Sequence, residues 1–284
     1  MTIDPHALLT HDFGERRHAY VERDAILYAL GVGMPTDPLD LAQLHFIDET
    51  RLAVLPTFAV TLASPGMWLR EPRFGIDFAR LVHSAQHAEF ETPLPAAGEV
   101  VGTARVASLT DRGEGRGAEL MIERLIRDAS SGQIYCRLRQ TLVLRGDGGF
   151  GGPPAPRASF ELPDRAPDLR ASLTLSPRAA LIYRLSGDWN PLHIDPVVAS
   201  RAGFDRPIMH GLGSYGAAAA ALCTAAGADH LALRAFSCRF SGVVFPGDTI
   251  DLSAWRSGSE LHFIAAVAGR TVLDQGRAFI EEQA

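Results

Sequence analysis

The chain has 284 residues, of which 46% are hydrophobic, and it carries a net charge of -6 at pH 7. This is enough apolar material for one large or two ordinary globular domains, and the acidic balance argues against nucleic acid or an anionic membrane as a partner. Three cysteines without CxxC or zinc-type spacing (Cys136, Cys223 and Cys238) indicate a reducing compartment.

The first half begins with a short helical pattern and continues as strands. From Asp24 to Gly33, paired apolar residues end at glycine, which predicts a short helix. Successive strands joined by short turns predict an antiparallel meander. These strands are predicted over Glu99–Leu109, Ala118–Arg127 and Ile134–Arg145, with turns at Gly113–Gly117 and Ser131–Gly132.

A stretch rich in glycine and proline divides the chain near its middle. Gly146 to Pro156 reads GDGGFGGPPAP, a composition that leaves little side chain to pack. We therefore predict an N-terminal domain over residues 1–146, a linker over 147–168 and a C-terminal domain over 169–284.

The second half repeats the features of the first, in the same order, which predicts an internal duplication. The helical run at Asp24–Gly33 resembles Arg178–Asp188, and the strand–turn–strand at Val82–Val101 resembles Ala235–Ile250. Between them, Leu55–Ala63 occupies the position of Arg206–Leu222.

The central element of the second half is predicted to be a buried helix. The segment His210–Gly227 is rich in alanine and glycine and almost without charge, as in helices that are apolar all round. Alternating strands follow it, as in Phe236, Cys238 and Phe240. Two antiparallel sheets, each wrapped around a central helix, predict an α+β class and a double hot-dog fold.

The residues best suited to chemistry cluster just before that helix. Ser186–Pro196 reads SGDWNPLHIDP, a loop with two carboxylates, an amide and an imidazole. Arg206–Ser214 then opens the helix, whose first N–H groups are free to meet a ligand. Gly211 has no Cβ, so a ligand oxygen can closely approach its backbone N–H.

The run YRLSGDWNPLHIDPVVASRAGFDRPIMHGL, from Tyr183 to Leu212, resembles the motif of MaoC-like dehydratases, in particular the type 2 (R)-specific enoyl-CoA hydratases. The weaker resemblance of the whole chain is to tandem hot-dog members whose first half is degenerate. The resemblance implies that Asp188 and His193 are catalytic, that Asn190 orients them and that the Gly211 N–H binds the thioester oxygen.

The predicted function is therefore a hydro-lyase that interconverts trans-2-enoyl-CoA and (3R)-3-hydroxyacyl-CoA, with the stereochemistry implied by the resemblance. The sequence does not decide which of Asp188 and His193 removes a proton and which delivers one. Three alternatives remain: dehydration of an acyl-carrier-protein or branched acyl thioester, an inert thioester-binding subunit, and a thioesterase. The intact Asp188/His193 pair disfavours the inert subunit, and the loop motif disfavours the thioesterase.

Several other residues have both a functional and a structural interpretation. His210 and Ser214 are pocket candidates, although His210 is as readily a packing residue at the start of the helix. Asp195 is better explained as a turn residue or helix cap. Arg239 is a candidate for the coenzyme A phosphates, and a solvated strand residue is its alternative. No metal is predicted, since a His193/Asp195/His210 site lacks a tight ligand spacing.

The first half is expected to lack catalytic groups. Aligning the repeats puts Gly33 opposite Asp188 and Val60 opposite Gly211. We therefore expect this half to keep the helix and sheet but to accommodate the acyl tail, with Phe58 and Met67 as pocket candidates. Changes at three of its histidines, His45, His83 and His87, are expected to leave turnover of a short substrate unchanged.

The remaining expectations concern location and partners. No apolar segment is long enough for a membrane span, and the last residues are not a peroxisomal targeting tripeptide, so we predict a cytoplasmic protein. The expected partner is an acyl-CoA thioester, with coenzyme A as part of the substrate and no separate cofactor. The oligomeric state is not determined by the sequence, and a homodimer is compatible with it.

Overall fold

The computed structural model describes residues 3–154 and 160–281. Residues 155–159 of the predicted linker and the C-terminal residues 282–284 lie outside the described part of the chain.

Ten antiparallel strands form one continuous sheet within the described residues. Their bounds are β1 (Glu15–Tyr20), β2 (Leu81–Phe90), β3 (Gly98–Asp111), β4 (Ala118–Asp128), β5 (Ile134–Leu144), β6 (Leu169–Thr174), β7 (Leu233–Phe240), β8 (Thr249–Ser257), β9 (Glu260–Val267) and β10 (Arg270–Ile280).

The strand order shows the duplication directly. It runs β1-β3-β4-β5-β2 in the first half and then β7-β10-β9-β8-β6 in the second, which is the same order reversed. The two halves join where β2 pairs with β7, with Gln86 opposite Cys238 and Ala88 opposite Phe236. The predicted double hot-dog fold is confirmed.

Six α-helices accompany the sheet in the described residues. They are α1 (Pro5–Leu9), α2 (Glu22–Gly31), α3 (Leu41–Leu44), α4 (Ala179–Tyr183), α5 (Pro196–Arg201) and α6 (Gly211–Ala225). The equivalent helices α2 and α4 lie against each other, because Gly31 has no side chain: a Cβ there would lie 3.0 Å from the Tyr183 Cα. The two repeats are thus held together by a helix contact as well as by the sheet.

The buried central helix of the second half is α6, as predicted. Its residues from Gly213 to Cys223 are all buried. Small side chains are required here, since a Cβ on Gly216 would lie 2.5 Å from the Tyr28 hydroxyl. The helix can therefore lie close to both the sheet and the first repeat.

The first half does not keep an equivalent helix, and the expectation that it does is wrong in this detail. Its central segment is a six-residue 3-10 turn, Pro56–Thr61. Val60 and Thr61 are β-branched, and Pro65 and Gly66 follow closely, so the segment is poorly suited to a long helix. Its hydrophobic side chains are still buried in the main core, as Phe58 and Val60 show.

The described part of the predicted linker contains no strand or helix between β5 and β6. Its beginning is tied to the β3–β4 hairpin, where the Asp111 carboxylate accepts the N–H groups of Gly149 (2.8 Å) and Gly151 (2.7 Å). All three cysteines are buried thiols without a disulfide. Among the described residues, no helix is long and apolar enough to cross a membrane.

Candidate active site

The loop that carries Asp188 begins where a left-handed glycine ends a turn. Gly187 has a φ of +109°, which ends the 3-10 turn Arg184–Ser186 that extends α4. Asp188 follows, with an exposed side chain whose carboxylate accepts the Asn190 N–H at 3.1 Å. The carboxylate is therefore held by the loop while it remains open to a ligand.

Asn190 organises the next turn of the same loop. Its side-chain oxygen accepts the Leu192 N–H at 3.1 Å and so caps the 3-10 turn Pro191–His193. This turn places His193 at its end. The contact supports the orienting role implied for Asn190, which stays a prediction.

His193 is buried and its tautomer is fixed by a backbone group. Its Nδ1 lies 2.9 Å from the Ile208 carbonyl oxygen, which can only accept, so the ring donates from Nδ1. In the neutral ring the Nε2 lone pair is then free to accept a proton. Burial lowers the pKa of His193 below its ordinary value of 6.5, although the Ile208 hydrogen bond and the Asp188 charge oppose this. His193 is therefore poised as a neutral base near pH 7.

His210 connects the loop to the start of α6. Its ring stacks on His193 with centroids 3.7 Å apart, and its Nε2 donates to the backbone oxygen of Asp188 at 3.3 Å. The Nδ1 atom is buried and meets no partner among the described residues. Burial, and then the neighbouring His193, lower the pKa of His210 to about 4, so this ring is neutral at physiological pH.

The candidate ligand atoms of Asp188, His193 and His210 lie within 4.8 Å of one another. Their geometry nevertheless argues against a metal centre. The two imidazole planes are stacked 3.7 Å apart and inclined by only 27°, so lone pairs that lie in these planes do not meet at one position about 2.0 Å from both rings, as zinc requires. Asp195, explained from the sequence as a turn residue or helix cap, caps α5 by accepting the Val197 N–H at 2.8 Å.

Gly211 is the first residue of α6, directly after His210. Its backbone N–H has no acceptor among the residues that the structure describes, and the residue is exposed. One ring edge of Phe240 borders it, 3.5 Å from the position a Cβ would take. A free N–H at a helix N-terminus beside an Asp/His pair is suited to stabilising a developing oxyanion.

The other predicted pocket residues are not brought together. Ser214 is buried and its hydroxyl donates to the His210 carbonyl at 3.4 Å within the helix. Phe58 lies in the main core, against Tyr20. Met67 is 40% exposed and precedes Trp68 of a separate core cluster. Their roles stay predictions.

Arg239 lies on the solvent side of β7, as the alternation predicts. Its guanidinium forms a two-pronged ion pair with the Asp274 carboxylate of β10, with Nε at 2.6 Å. This pair compensates its charge and argues against a role in binding the coenzyme A phosphates. The partner is 35 residues away and joins it only through the β7–β10 pairing, so no local pattern reveals it.

Comparison with known proteins gives a consistent result. A family model described as MaoC like domain matches residues 159–275, and one described as MFE-2 hydratase 2 N-terminal domain matches residues 18–146.

Two curated relatives align with most of the chain. One is the 3-hydroxyacyl-thioester dehydratase Y of Mycobacterium tuberculosis, 40% identical over 90% of this chain and 91% of its own length. Another is the peroxisomal enoyl-CoA hydratase 2 of Arabidopsis thaliana, 37% identical over 93% of this chain and 90% of its own. A crystal structure of a MaoC-like dehydratase from Phytophthora capsici superposes with a TM-score of 0.85 at 29% identity, covering 99% and 100% of the two chains.

Proposed function

Because the chain belongs to the MaoC-like dehydratase family, we propose that Asp188, His193 and the Gly211 N–H form its active site. The chain is a hydro-lyase that reversibly adds water to enoyl-CoA to give 3-hydroxyacyl-CoA. The observation that carries the site assignment is the free Nε2 of His193, next to an open carboxylate and an unclaimed helix N–H. A place in fatty acid metabolism fits this reaction.

In the hydration direction, His193 is the base. Its Nε2 takes a proton from water while the water oxygen bonds to C3 of the enoyl thioester. The C2–C3 π electrons move toward the carbonyl and form an enolate. The Ile208 carbonyl supports this role, because it holds the ring in the tautomer with an accepting Nε2.

The enolate oxygen binds at the Gly211 N–H. Only a preformed donor stabilises this charge without reorganising at the moment of reaction, and losing one such donor typically costs about 10²–10³ in rate. The imidazolium of His193 then returns the proton to C2, the enolate collapses to the thioester, and the base is restored. Atoms and charge balance with one water consumed.

Asp188 orients the water and stabilises the imidazolium. Its charge raises the pKa of His193, which is the direction expected of a carboxylate beside a forming cation. Because His193 both activates the water and returns the proton, hydroxyl and proton are added to the same face of the double bond. The resemblance to (R)-specific hydratases, and not the addition to one face, is the basis for assigning (3R)-3-hydroxyacyl-CoA as the product.

The first repeat, residues 1–146, accommodates the acyl tail, and residues 147–168 link it to the catalytic repeat over 169–284. The central turn of the first repeat, Pro56–Thr61, has six residues and is much shorter than α6, which has fifteen. Phe58 stands in this turn, between the rings of Tyr20 and Tyr28, where its size limits the space for a longer tail.

The proposal extends to the setting of the enzyme. The proposed substrate carrier is coenzyme A, with no separate cofactor or metal, and the proposed location is the cytoplasm; a homodimer is compatible with this proposal. A carrier-protein thioester remains the alternative substrate, which a parallel assay with crotonyl-acyl-carrier protein tests.

The activity is tested by incubating the purified chain with crotonyl-CoA. Loss of the enoyl absorbance is expected, and chiral chromatography of the hydrolysed product should yield (3R)-3-hydroxybutyrate. Formation of the (3S) product contradicts the stereochemical assignment, whereas an unchanged absorbance contradicts the hydratase assignment itself.

A further inference from the structure

A β-bulge in the first repeat turns one of its histidines toward the catalytic half. Beyond the bulge, the buried residues of β2 are Gln86, Ala88 and Phe90. The pairing of β2 with β5 then shifts between His83 and Ala85, leaving Ser84 as an extra residue. One extra residue reverses which side chains face inward, and bulges near functional sites commonly re-aim a side chain in this way.

The inward ring of His83 is fixed at two points. Its Nε2 lies 3.0 Å from the Ala85 carbonyl, to which it must donate. It also packs against Phe240 in a T-shaped arrangement, with ring centroids 4.9 Å apart and an interplanar angle of 68°. His83 therefore supports Phe240 from behind, across the β2–β7 junction between the repeats.

Phe240 in turn borders the oxyanion position. Three of its ring atoms lie 3.5–3.7 Å from the place where a Gly211 Cβ would stand. Two successive packing contacts, His83 with Phe240 and Phe240 with Gly211, thus connect the first repeat to the N–H proposed to bind the thioester oxygen. The Asp188 charge also acts on His83, where it opposes the lowering of the pKa by burial.

We propose that His83 is a positioning residue of the active site, which holds the Phe240 ring against Gly211 and so sets the width of the space in front of the oxyanion-binding N–H. This inference rests on the proposed function and deepens it. The position of the Phe240 ring, here called the ring wall, determines how well enoyl thioesters with a substituent at C2 are accepted relative to unbranched ones. The first repeat then contributes to the site itself, in contrast to the expectation that its histidines are dispensable.

His83 does not take part in proton transfer on this account. Burial lowers its pKa to about 4, with Arg124 acting in the same direction and Asp188 opposing it. The ring is therefore neutral over the range in which the enzyme is assayed. Replacing it should change geometry and specificity and leave the pH profile where it is.

The chain offers two matched controls in the same half. His87 lies on the outer side of β2, paired with Glu89 at 2.9 Å. His45 follows α3 and lies against Phe46, whose ring contacts His230 beyond the far end of α6. Each is a first-repeat histidine remote from Gly211, so alanine at either position should leave the kinetics unchanged.

The test compares crotonyl-CoA with its 2-methyl analogue. For His83→Ala, kcat/KM for crotonyl-CoA should fall about tenfold through misplacement of the ring wall, while the 2-methyl substrate loses less, so that the branched-to-unbranched ratio rises. His83→Phe should restore both values, because it retains a ring behind Phe240. The pH profile of His83→Ala should match that of the wild type.

Equal losses on both substrates, no loss on either, or a displaced pH profile each overturn the proposal. If His83→Ala does not fold, Phe240→Leu shrinks the same wall and must raise the same ratio; an unchanged ratio overturns it equally. If the wild type is active and His83→Ala has the same kcat/KM for both substrates, only this inference is refuted. A wild type that does not hydrate crotonyl-CoA refutes the proposed function and this inference with it.

Discussion

Replacing Gly211 by proline removes the backbone N–H that is the proposed oxyanion donor, and a matched alanine variant accounts for the added side-chain carbon. Gly211 is the first residue of α6, a position where proline is well tolerated because its N–H makes no helical bond. The preceding His210 has φ -61° and ψ 136°, and this extended backbone is the one that a following proline requires. The helix should therefore begin as before.

The expected effect is a fall in kcat by about 10²–10³, or about 2.7–4 kcal/mol of transition-state stabilisation, as for the loss of one oxyanion donor. Gly211→Ala is the matched control. It keeps the N–H, and its Cβ would make only ordinary contact with Phe240 at 3.5 Å. Its loss should be much smaller than that of the proline variant.

The assay is steady-state hydration of crotonyl-CoA, with circular dichroism and thermal unfolding to show that both variants are folded. A folded Gly211→Pro enzyme with a kcat close to that of Gly211→Ala would show that the Gly211 N–H does not stabilise the oxyanion. The thioester oxygen would then bind elsewhere, and the start of α6 would have only a structural role.

Three further predictions concern His210, His193 and Phe58. His210→Phe keeps the stacked ring but loses the bond to the Asp188 carbonyl, so kcat should fall by up to about tenfold, the equivalent of one net hydrogen bond. Its stability should be little changed, since the unpartnered buried Nδ1 is removed as well; abolished turnover would instead make His210 a proton-transfer group. Burial lowers the pKa of His193 below 6.5, so kcat/KM should persist at pH 7 and fall only at more acid pH, as the base becomes protonated; a pH–rate profile that falls already above pH 7 on its acid side contradicts this. Phe58→Ala should raise kcat/KM for long acyl chains relative to crotonyl-CoA. Each additional methylene that the pocket accommodates contributes at most about 1–3 kcal/mol of transition-state binding. An unchanged ratio would show that Phe58 does not line the acyl pocket.

Much of the fold could be predicted from the sequence because its signals are local. Strand alternation, glycine turns and the uncharged alanine-rich run of α6 each depend on a few adjacent residues. The repeat then doubled the information, since each element of one half supported its counterpart in the other. The 3-10 turn Pro56–Thr61 was missed because alignment to α6 suggested a helix, which the β-branched Val60 and Thr61 and the following Pro65 do not favour.

The site divides in the same way. Asp188, Asn190 and His193 lie within six consecutive residues, so a loop motif could identify them together. The Ile208 carbonyl that fixes the His193 tautomer is a backbone group and has no side-chain signal. The inward turn of His83 depends on a single extra residue, Ser84, whose effect appears only once β2 is paired with β5.

That His193 is the general base, with Asp188 beside it, is tested by the turnover of His193→Ala with crotonyl-CoA, measured beside the wild type and Asp188→Asn. The side chain of His193 is buried and forms one hydrogen bond with Ile208. Its removal can lower stability, so thermal unfolding must first show that the variant is folded. In both variants we expect kcat to fall by at least about 10²-fold, the lower range for loss of a general acid or base. A folded His193→Ala enzyme with near-normal kcat would contradict this expectation, because the base that activates water would then lie elsewhere.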